Sequence, residues 1–203
     1  ALRDIPGLVV GCPSRGDDAV TMLRTLTALA KVDGRVCAFL EPIALYMTKD
    51  LHEAGDGGWL TAFPAPGEAM ELGAERVYNP DATDCVILTF GNGVPMSLRA
   101  AREIEAKHGW KVRVVDLRWL LPLNEEAIVR NVGECARTIV VDEGRRSAGV
   151  GEGIITAIAE GGLGDRPLQR VVGADTFTPL AGAAFLVIPS EADIVQAANA
   201  LAT

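Results

Sequence analysis

Apolar and polar positions along this chain follow two periods, one suited to buried strands and one to amphipathic helices. Leu8 to Cys12 is a short continuous apolar run, which Pro13-Ser14-Arg15-Gly16 breaks. Val20, Leu23, Leu26, Thr27 and Ala30 then recur at helical spacing. The pattern predicts a buried strand followed by a helix, with Asp17 or Asp18 as the helix cap. Asp33-Gly34 turns the chain into a second apolar run, Val36 to Leu40. Strand, helix, strand is the repeating unit of a parallel sheet.

From Ala54 the character changes. Gly55, Gly57, Gly58, Pro64 and Pro66 mark a linker, and Glu68 to Leu72 is expected to form a short helix. Cys85 to Phe90 then reads as a strand, with Gly91-Asn92-Gly93 turning into a helix over Pro95 to His108. Val112 to Asp116 is the next strand, and a helix capped by Asn124 runs to Ala136. Thr138 to Asp142, Arg170 to Val172 and Ala184 to Ile188 read as strands, and Gly149 to Ala159 as a helix. Ser190 and Asp193 have capping-box spacing at the start of the last helix. The second part is therefore a complete small α/β domain, with no internal repeat or low-complexity tract.

Composition narrows the partners. The chain has 203 residues, 49% of them hydrophobic, and a formal net charge of −8. Nucleic acid and anionic membrane would repel it on average, and Arg145-Arg146 is its one adjacent basic pair. No apolar run approaches the roughly 20 residues that span a bilayer, and no signal-peptide pattern is present. Cys12, Cys37, Cys85 and Cys135 are widely spaced without a C-x-x-C, so reduced thiols in a cytoplasmic protein are expected. Opening at Ala1, close to a strand and without Met, the chain reads as a piece of a longer protein.

Candidate chemistry is sparse. His52 and His108 lie in polar surroundings with no zinc-ligand spacing, so no metal site is expected. Ser14 in Gly11-Cys12-Pro13-Ser14-Arg15-Gly16 lacks the glycine two places earlier that a nucleophile elbow carries, and reads as a helix-start serine. Gly149 and Gly151 open a helix whose free N–H groups suit an anion, with Arg145 and Arg146 nearby; close helix–strand packing explains the same glycines. Asp142-Glu143 is expected to be a solvated strand end paired with Arg145 or Arg146. Glu41, after an apolar strand and stiffened by Pro42, stands where open α/β sheets collect ligands. A structural role for Glu41 fits equally well.

Several segments, in order along nearly the whole chain, carry a family resemblance. They are Ile5-Pro6-Gly7-Leu8-Val9-Val10 with Pro13-Ser14, Phe39 to Tyr46, Leu72 to Val77 with Thr89-Phe90-Gly91, and Val114 to Arg118 with Leu121 to Glu126. Val140 to Glu143 with Gly149 and Gly151, Asp175 to Pro179, and Leu186 to Ser190 complete the set. Together they resemble the β-subunit of thiamine-diphosphate-dependent 2-oxoacid dehydrogenase E1 components, of pyruvate or branched-chain type, in the transketolase superfamily. Ile43 stands where that family usually has lysine, and Leu180-Ala181-Gly182 replaces its usual Tyr-Ala-Pro. The stretch Met47 to Met70 is longer than usual.

The resemblance implies an α/β fold in which residues 1–62 are the tail of a pyrimidine-binding domain plus linker and residues 63–203 are a transketolase C-terminal domain. It implies that the parent enzyme uses thiamine diphosphate and Mg²⁺ held outside this chain, so no catalytic or cofactor-binding residue is expected here and the piece alone is expected to be inactive. The implied partners are the E1 α subunit, a second β region and the E2 acyltransferase. Glu41 and Tyr46 are the expected substrate-channel residues, and Arg145, Arg146, Gly149 and Gly151 the candidate anion site. Sugar-phosphate relatives, transketolase and deoxyxylulose-phosphate synthase, resemble each other in placing arginine where this chain has Glu41, and an arginine grips phosphate bidentately. They are the alternative reading, and a non-catalytic α/β binding module is the third.

Overall fold

The computed structural model describes residues 2–202, and the chain divides into two compact units. The first holds the stretch up to Arg76, Phe90–Asn92 and Asp116–Asn124; the second holds Val77–Thr89, Gly93–Val115 and the stretch from Glu125.

In the first unit the apolar run becomes β1 (Val9–Gly11), followed by α1 (Gly16–Val32) and β2 (Cys37–Phe39). The strands are parallel, with Val9 opposite Cys37 and Gly11 opposite Phe39. Trp119–Leu121, here β6, adds antiparallel to the other side of β1. Val9, Met22, Leu26 and Trp119 form the core, with Leu29, Phe39, Met70 and Leu72 packed on it. A Cβ at Gly11 would lie 2.8 Å from Met22 Cε and 3.4 Å from Trp119, so glycine here leaves room for Met22 of α1 and the tryptophan to close over the strand.

Two expectations fail in this unit. Neither aspartate caps α1: the cap position is Arg15, whose side chain makes no cap bond. Asp17 accepts the amide of Asp18 inside the first turn, while Asp18 is buried and points to Arg118. Residues Glu68 to Leu72 form no helix. Hemmed in by Pro64, Pro66 and Gly67, they are too short to nucleate one. Their backbone bonds to α1 instead, Met70 N–H donating to Thr21 O at 3.3 Å and Met70 O accepting from Thr25 Oγ1 at 2.5 Å.

The second unit is a five-stranded sheet with helices against it. Its strands are β3 (Arg76–Tyr78), β4 (Cys85–Thr89), β5 (Val112–Asp116), β7 (Thr138–Arg145) and β8 (Leu168–Gly173), in the order β3-β5-β4-β7-β8. β4, β7 and β8 run parallel. The helices are α2 (Gly93–His108), α3 (Glu125–Gly133), α4 (Val150–Glu160) and α5 (Glu191–Leu201). All five residues of β4 are buried, as a strand covered on both faces requires. Cys85 and Ile87 join Ile104, Val112, Val114, Ile139, Val141 and Ile194 in one buried cluster, each large apolar side chain contributing about 1.5–3 kcal/mol by burial. Burial pushes the Cys85 thiol up to about 12, which leaves it unreactive. The capping box on α5 forms as the spacing predicts, Ser190 accepting from the Asp193 amide and Asp193 from the Ser190 amide.

Here too the chain departs from expectation. Ala184 to Ile188 is no strand: Ala181–Leu186 coils into a 3-10 helix, with Ala181 at φ +54° and Gly182 beside it. Small residues at this point let the chain turn rather than extend. β3 and β6 were not predicted, being three residues each. β6 follows Arg118, a non-glycine residue at φ +58°, which nothing in its side-chain type announces. Among the described residues no helix is long and apolar enough to cross a membrane.

Candidate functional site

Both expected channel residues come together in the first unit, where the C-terminal ends of β1 and β2 open into a cavity of about 590 Å³. Pro13 to Gly16 follow β1 and form one wall; Glu41 to Thr48, which include a 3-10 turn at Ile43–Leu45, form another. Trp59, Leu60 and Thr61 close the third side. Tyr46 Oη donates to Glu41 Oε2 at 2.5 Å. That bond, then burial, then the carboxylate's charge hold the phenol above its usual range.

Opposite this pair, the Arg15 guanidinium stacks over Trp59 at 4.8 Å from the ring centroid and donates to Leu60 O at 3.0 Å. Trp59 is buried and its Nε1–H donates to Ser14 O at 3.1 Å. Asp17 N–H donates to Thr61 Oγ1 at 3.1 Å, tying the third wall to the start of α1. Gly91, at φ +54°, packs against Cys12 and Pro42: a Cβ there would lie 3.1 Å from Cys12 Sγ and 3.3 Å from Pro42 Cγ. Apolar walls with a carboxylate–phenol pair and an arginine–indole stack suit selection of a ligand by shape and hydrogen bonding. Arg15 and Trp59 were missed as site residues, although a lone tryptophan in a glycine-rich stretch is a signal that something specific is packed there.

The second expected cluster is organised by a different residue. Gly149 is the cap position of α4 and Gly151 lies in its first turn, as the glycine spacing suggests. Yet the amide of Gly151 donates to Asp142 Oδ2 at 2.8 Å, and that of Gly144 to Asp142 Oδ1 at 2.7 Å. Glu152 accepts from Ala148 N–H at 2.9 Å. The helix start thus holds the chain's own carboxylate. Asp142 is buried, not the solvated strand end expected. Arg145 and Arg146 are exposed, at and just beyond the end of β7, and the Arg146 carbonyl accepts from Arg170. A Cβ at Gly149 would meet Asp142 Oδ2 at 2.6 Å, which accounts for that glycine without an external anion.

A third constellation was not anticipated. Asp18, Asp116 and Arg118 are buried together in the first unit with Ser14, whose hydroxyl donates to Asp116 Oδ2. Arg118 donates to Asp18 Oδ1 at 2.7 Å, to Ala74 O at 3.0 Å and to Glu75 O at 2.5 Å, and its backbone N–H donates to Asp116 Oδ1 at 3.1 Å. Arg76 adds a second contact to Asp18 at 2.9 Å. Burial pushes Asp116 up to about 7, against the Ser14 bond and the Arg118 charge, while the Asp18 charge adds to the rise. Asp18 is raised as well, again by burial. These groups bond one another and the backbone, so the arrangement fastens the chain crossing at Arg118.

Comparison with known proteins gives a consistent picture. Residues 74–193 match the family described as the transketolase C-terminal domain. The β subunit of the pyruvate dehydrogenase E1 component from Staphylococcus aureus is 31% identical over 200 residues, covering 98% of this chain and 57% of that protein. The same subunit from Staphylococcus epidermidis is 30% identical over 201 residues, with the same coverage. The chain thus spans little more than half the length of these relatives. Among solved structures, a split-gene transketolase, described as an inactive β4 tetramer, superposes with a TM-score of 0.74 at 20% identity, covering 98% of this chain and 59% of that one.

Proposed function

Because this chain belongs to the transketolase C-terminal domain family, we propose that it is a region of the E1 component of a 2-oxoacid dehydrogenase complex, with residues 63–203 as the C-terminal domain and residues 1–62 as the tail of the pyrimidine-binding domain. The parent enzyme would decarboxylate a 2-oxo acid oxidatively on thiamine diphosphate and pass the acyl group to lipoyl-E2. This region serves pairing with a second β region and docking of E2, with the E1 α subunit as the further partner and the cytoplasm as the compartment. Glu41 and Tyr46 line the substrate channel in this reading.

The chain's own residues do not fit a diphosphate–Mg²⁺ site. Among the described residues no three of His, Cys, Asp and Glu converge as a metal would need, and the α4 start is filled by Asp142. Thiamine diphosphate, when bound, supplies the carbanion chemistry; it is held by other parts of the enzyme, and this chain's share is to shape the channel.

The observation that carries the choice of substrate class is Glu41 in the cavity wall, hydrogen-bonded to Tyr46. A carboxylate there repels the phosphate that transketolase-type substrates bear. Calorimetry tests this directly, with an E2 subunit-binding domain in one titration and erythrose 4-phosphate in the other. Binding of the E2 domain with no heat from the sugar phosphate is expected. Sugar-phosphate binding without E2 binding would put the chain with the transketolases.

A further inference from the structure

The cavity wall and the buried acid network of the first unit share one residue, Ser14. Its hydroxyl donates to Asp116 Oδ2, and its carbonyl accepts the Trp59 indole N–H at 3.1 Å. All three residues are buried. Trp59 in turn carries the Arg15 guanidinium, 4.8 Å from the ring centroid, and Arg15 donates to Leu60 O at 3.0 Å. The loop after β1 thus touches an ionisable group through the Ser14 side chain and the arginine–indole shelf through the Ser14 backbone.

Asp116 can act on that loop because both of its oxygens accept, Oδ2 from Ser14 and Oδ1 from the Arg118 backbone N–H at 3.1 Å. An ionised carboxylate suits two donors. With Oδ1 taken by an amide, a proton adds at Oδ2, and the acid becomes a donor whose nearest acceptor is Ser14 Oγ. Protonation therefore reverses the Ser14 bond and replaces a charge-assisted bond with a neutral one about half as strong. The charges around Asp116 are engaged with one another. From α1, Asp18 Oδ1 is held by Arg118 at 2.7 Å and by Arg76 at 2.9 Å, and Asp17 by Arg76 at 2.8 Å. The Arg118 guanidinium is also held by the carbonyls of Ala74 and Glu75, and Glu68, on the far side of Arg76, is exposed. With burial holding the Asp116 carboxyl at about 7, against the Ser14 bond, the exchange falls near neutral pH.

We propose that Ser14 and Asp116 are positioning residues for the cavity: ionised Asp116 holds the Ser14 hydroxyl, and the Ser14 carbonyl then fixes the Trp59–Arg15 shelf, which loosens when the acid is neutral. Neither residue acts on a ligand directly, and the assignment holds whichever molecule the cavity takes.

The Trp59 indole proton reports the shelf. Its resonance in the full chain, assigned with Trp59→Phe, is followed by NMR from about pH 5 to about pH 9. It is expected to move downfield as pH rises, with a midpoint near 7, because the bond to the Ser14 carbonyl tightens. A network that only stabilises the fold would give the opposite sign, since an acid raised by burial makes the fold less stable as it ionises. Asp116→Asn should abolish the titration. Ser14→Ala should abolish it too, although Asp116 still ionises there, whereas a through-space effect of its charge would persist. An upfield movement, no movement, or a titration that survives either substitution overturns the proposal. The sign in the unsubstituted chain decides even where a variant fails to fold.

Discussion

Strands β1 and β4 are both fully buried, yet what surrounds them differs in kind. Around β4 lie isoleucines, valines and alanines from α2, α5 and the neighbouring strands. Around β1 the apolar cluster is small, and Asp18, Asp116, Arg118 and Ser14 are buried in the same unit. The second unit has buried polar groups also, but Arg113 reaches Glu134, which is half exposed, and Asp142 accepts from the amides of Gly144 and Gly151. In the first unit two acids and an arginine face one another out of water. Apolar burial is tolerant of sequence and holds β4 through many weak contacts. The first unit depends on a few specific bonds, which fix a crossing that hydrophobicity alone would leave loose.

The sharpest way to break this contrast is Arg118→Leu. Asp18 is 1% exposed and would lose its closest cation, keeping only the more exposed Arg76, so a loss of about 3 kcal/mol is expected from a poorly compensated buried charge. Urea denaturation followed by tryptophan fluorescence measures it. Adding Asp18→Leu should recover most of the loss, because the charge that needed the arginine is gone. A single substitution that costs less than about 1 kcal/mol would mean that the network is incidental and the first unit is also held by packing.

A somewhat smaller effect is expected from pH. The Asp116 carboxyl titrates near 7 in the folded chain, held up chiefly by burial, and near 3.9 when unfolded. Between those values the folded state carries a proton that the unfolded state has released. Stability therefore falls as pH rises through this window and is level above it, by roughly 1.4 kcal/mol per pH unit. Asp18 moves in the same direction. Unfolding free energies from urea titrations at about pH 5 and about pH 8 should differ by on the order of 2–3 kcal/mol, and Asp116→Asn should flatten the difference. Amide protection in β4, whose side chains are apolar apart from one threonine and the raised thiol of Cys85, should follow neither change. A slope that survives Asp116→Asn would assign the effect elsewhere.

The same contrast explains what the sequence disclosed. Elements of the second unit are legible because their signals are local: an apolar run for β4, helical spacing in α2, Ser190 and Asp193 at the start of α5. The Glu41–Tyr46 hydrogen bond is local too, since five residues of chain join them across one short turn. The Asp18–Arg118 contact joins positions 100 residues apart, and neither residue looks unusual in its own neighbourhood. Asp142 was misjudged because an acid after a strand reads as solvated unless the glycines nine residues on are seen to bend a helix start back over it. Trp59 and Arg15 stack only because the segment between Met47 and Met70 folds onto α1. No periodicity marks a segment that is neither helix nor strand.

That segment offers the gentlest test. Trp59 N–H donates to Lys49 O at 2.9 Å and closes a compact loop. Within it Asp56 accepts the amides of Leu51, His52, Glu53 and Gly58 at 2.7–2.9 Å, and Asp50 accepts those of Gly55 and Gly57 at 2.8 Å. The amides of Gly58, Glu53, Leu51 and His52 hold the Asp56 carboxyl well below the usual carboxylate range. A depressed value means that the bonds contribute fully above the ordinary carboxylate pKa and are lost only as pH falls through the lower folded one. The loop should therefore keep its order across the window in which Asp116 weakens the rest of its unit. Asp56→Asn should raise exchange at these four amides by about tenfold or less while leaving the urea midpoint where it was, because the group is exposed and its bonds are local. If the midpoint falls together with the amide protection, the loop is part of the cooperative fold of the first unit, and the cavity beside Trp59 is as rigid as the sheet beneath it.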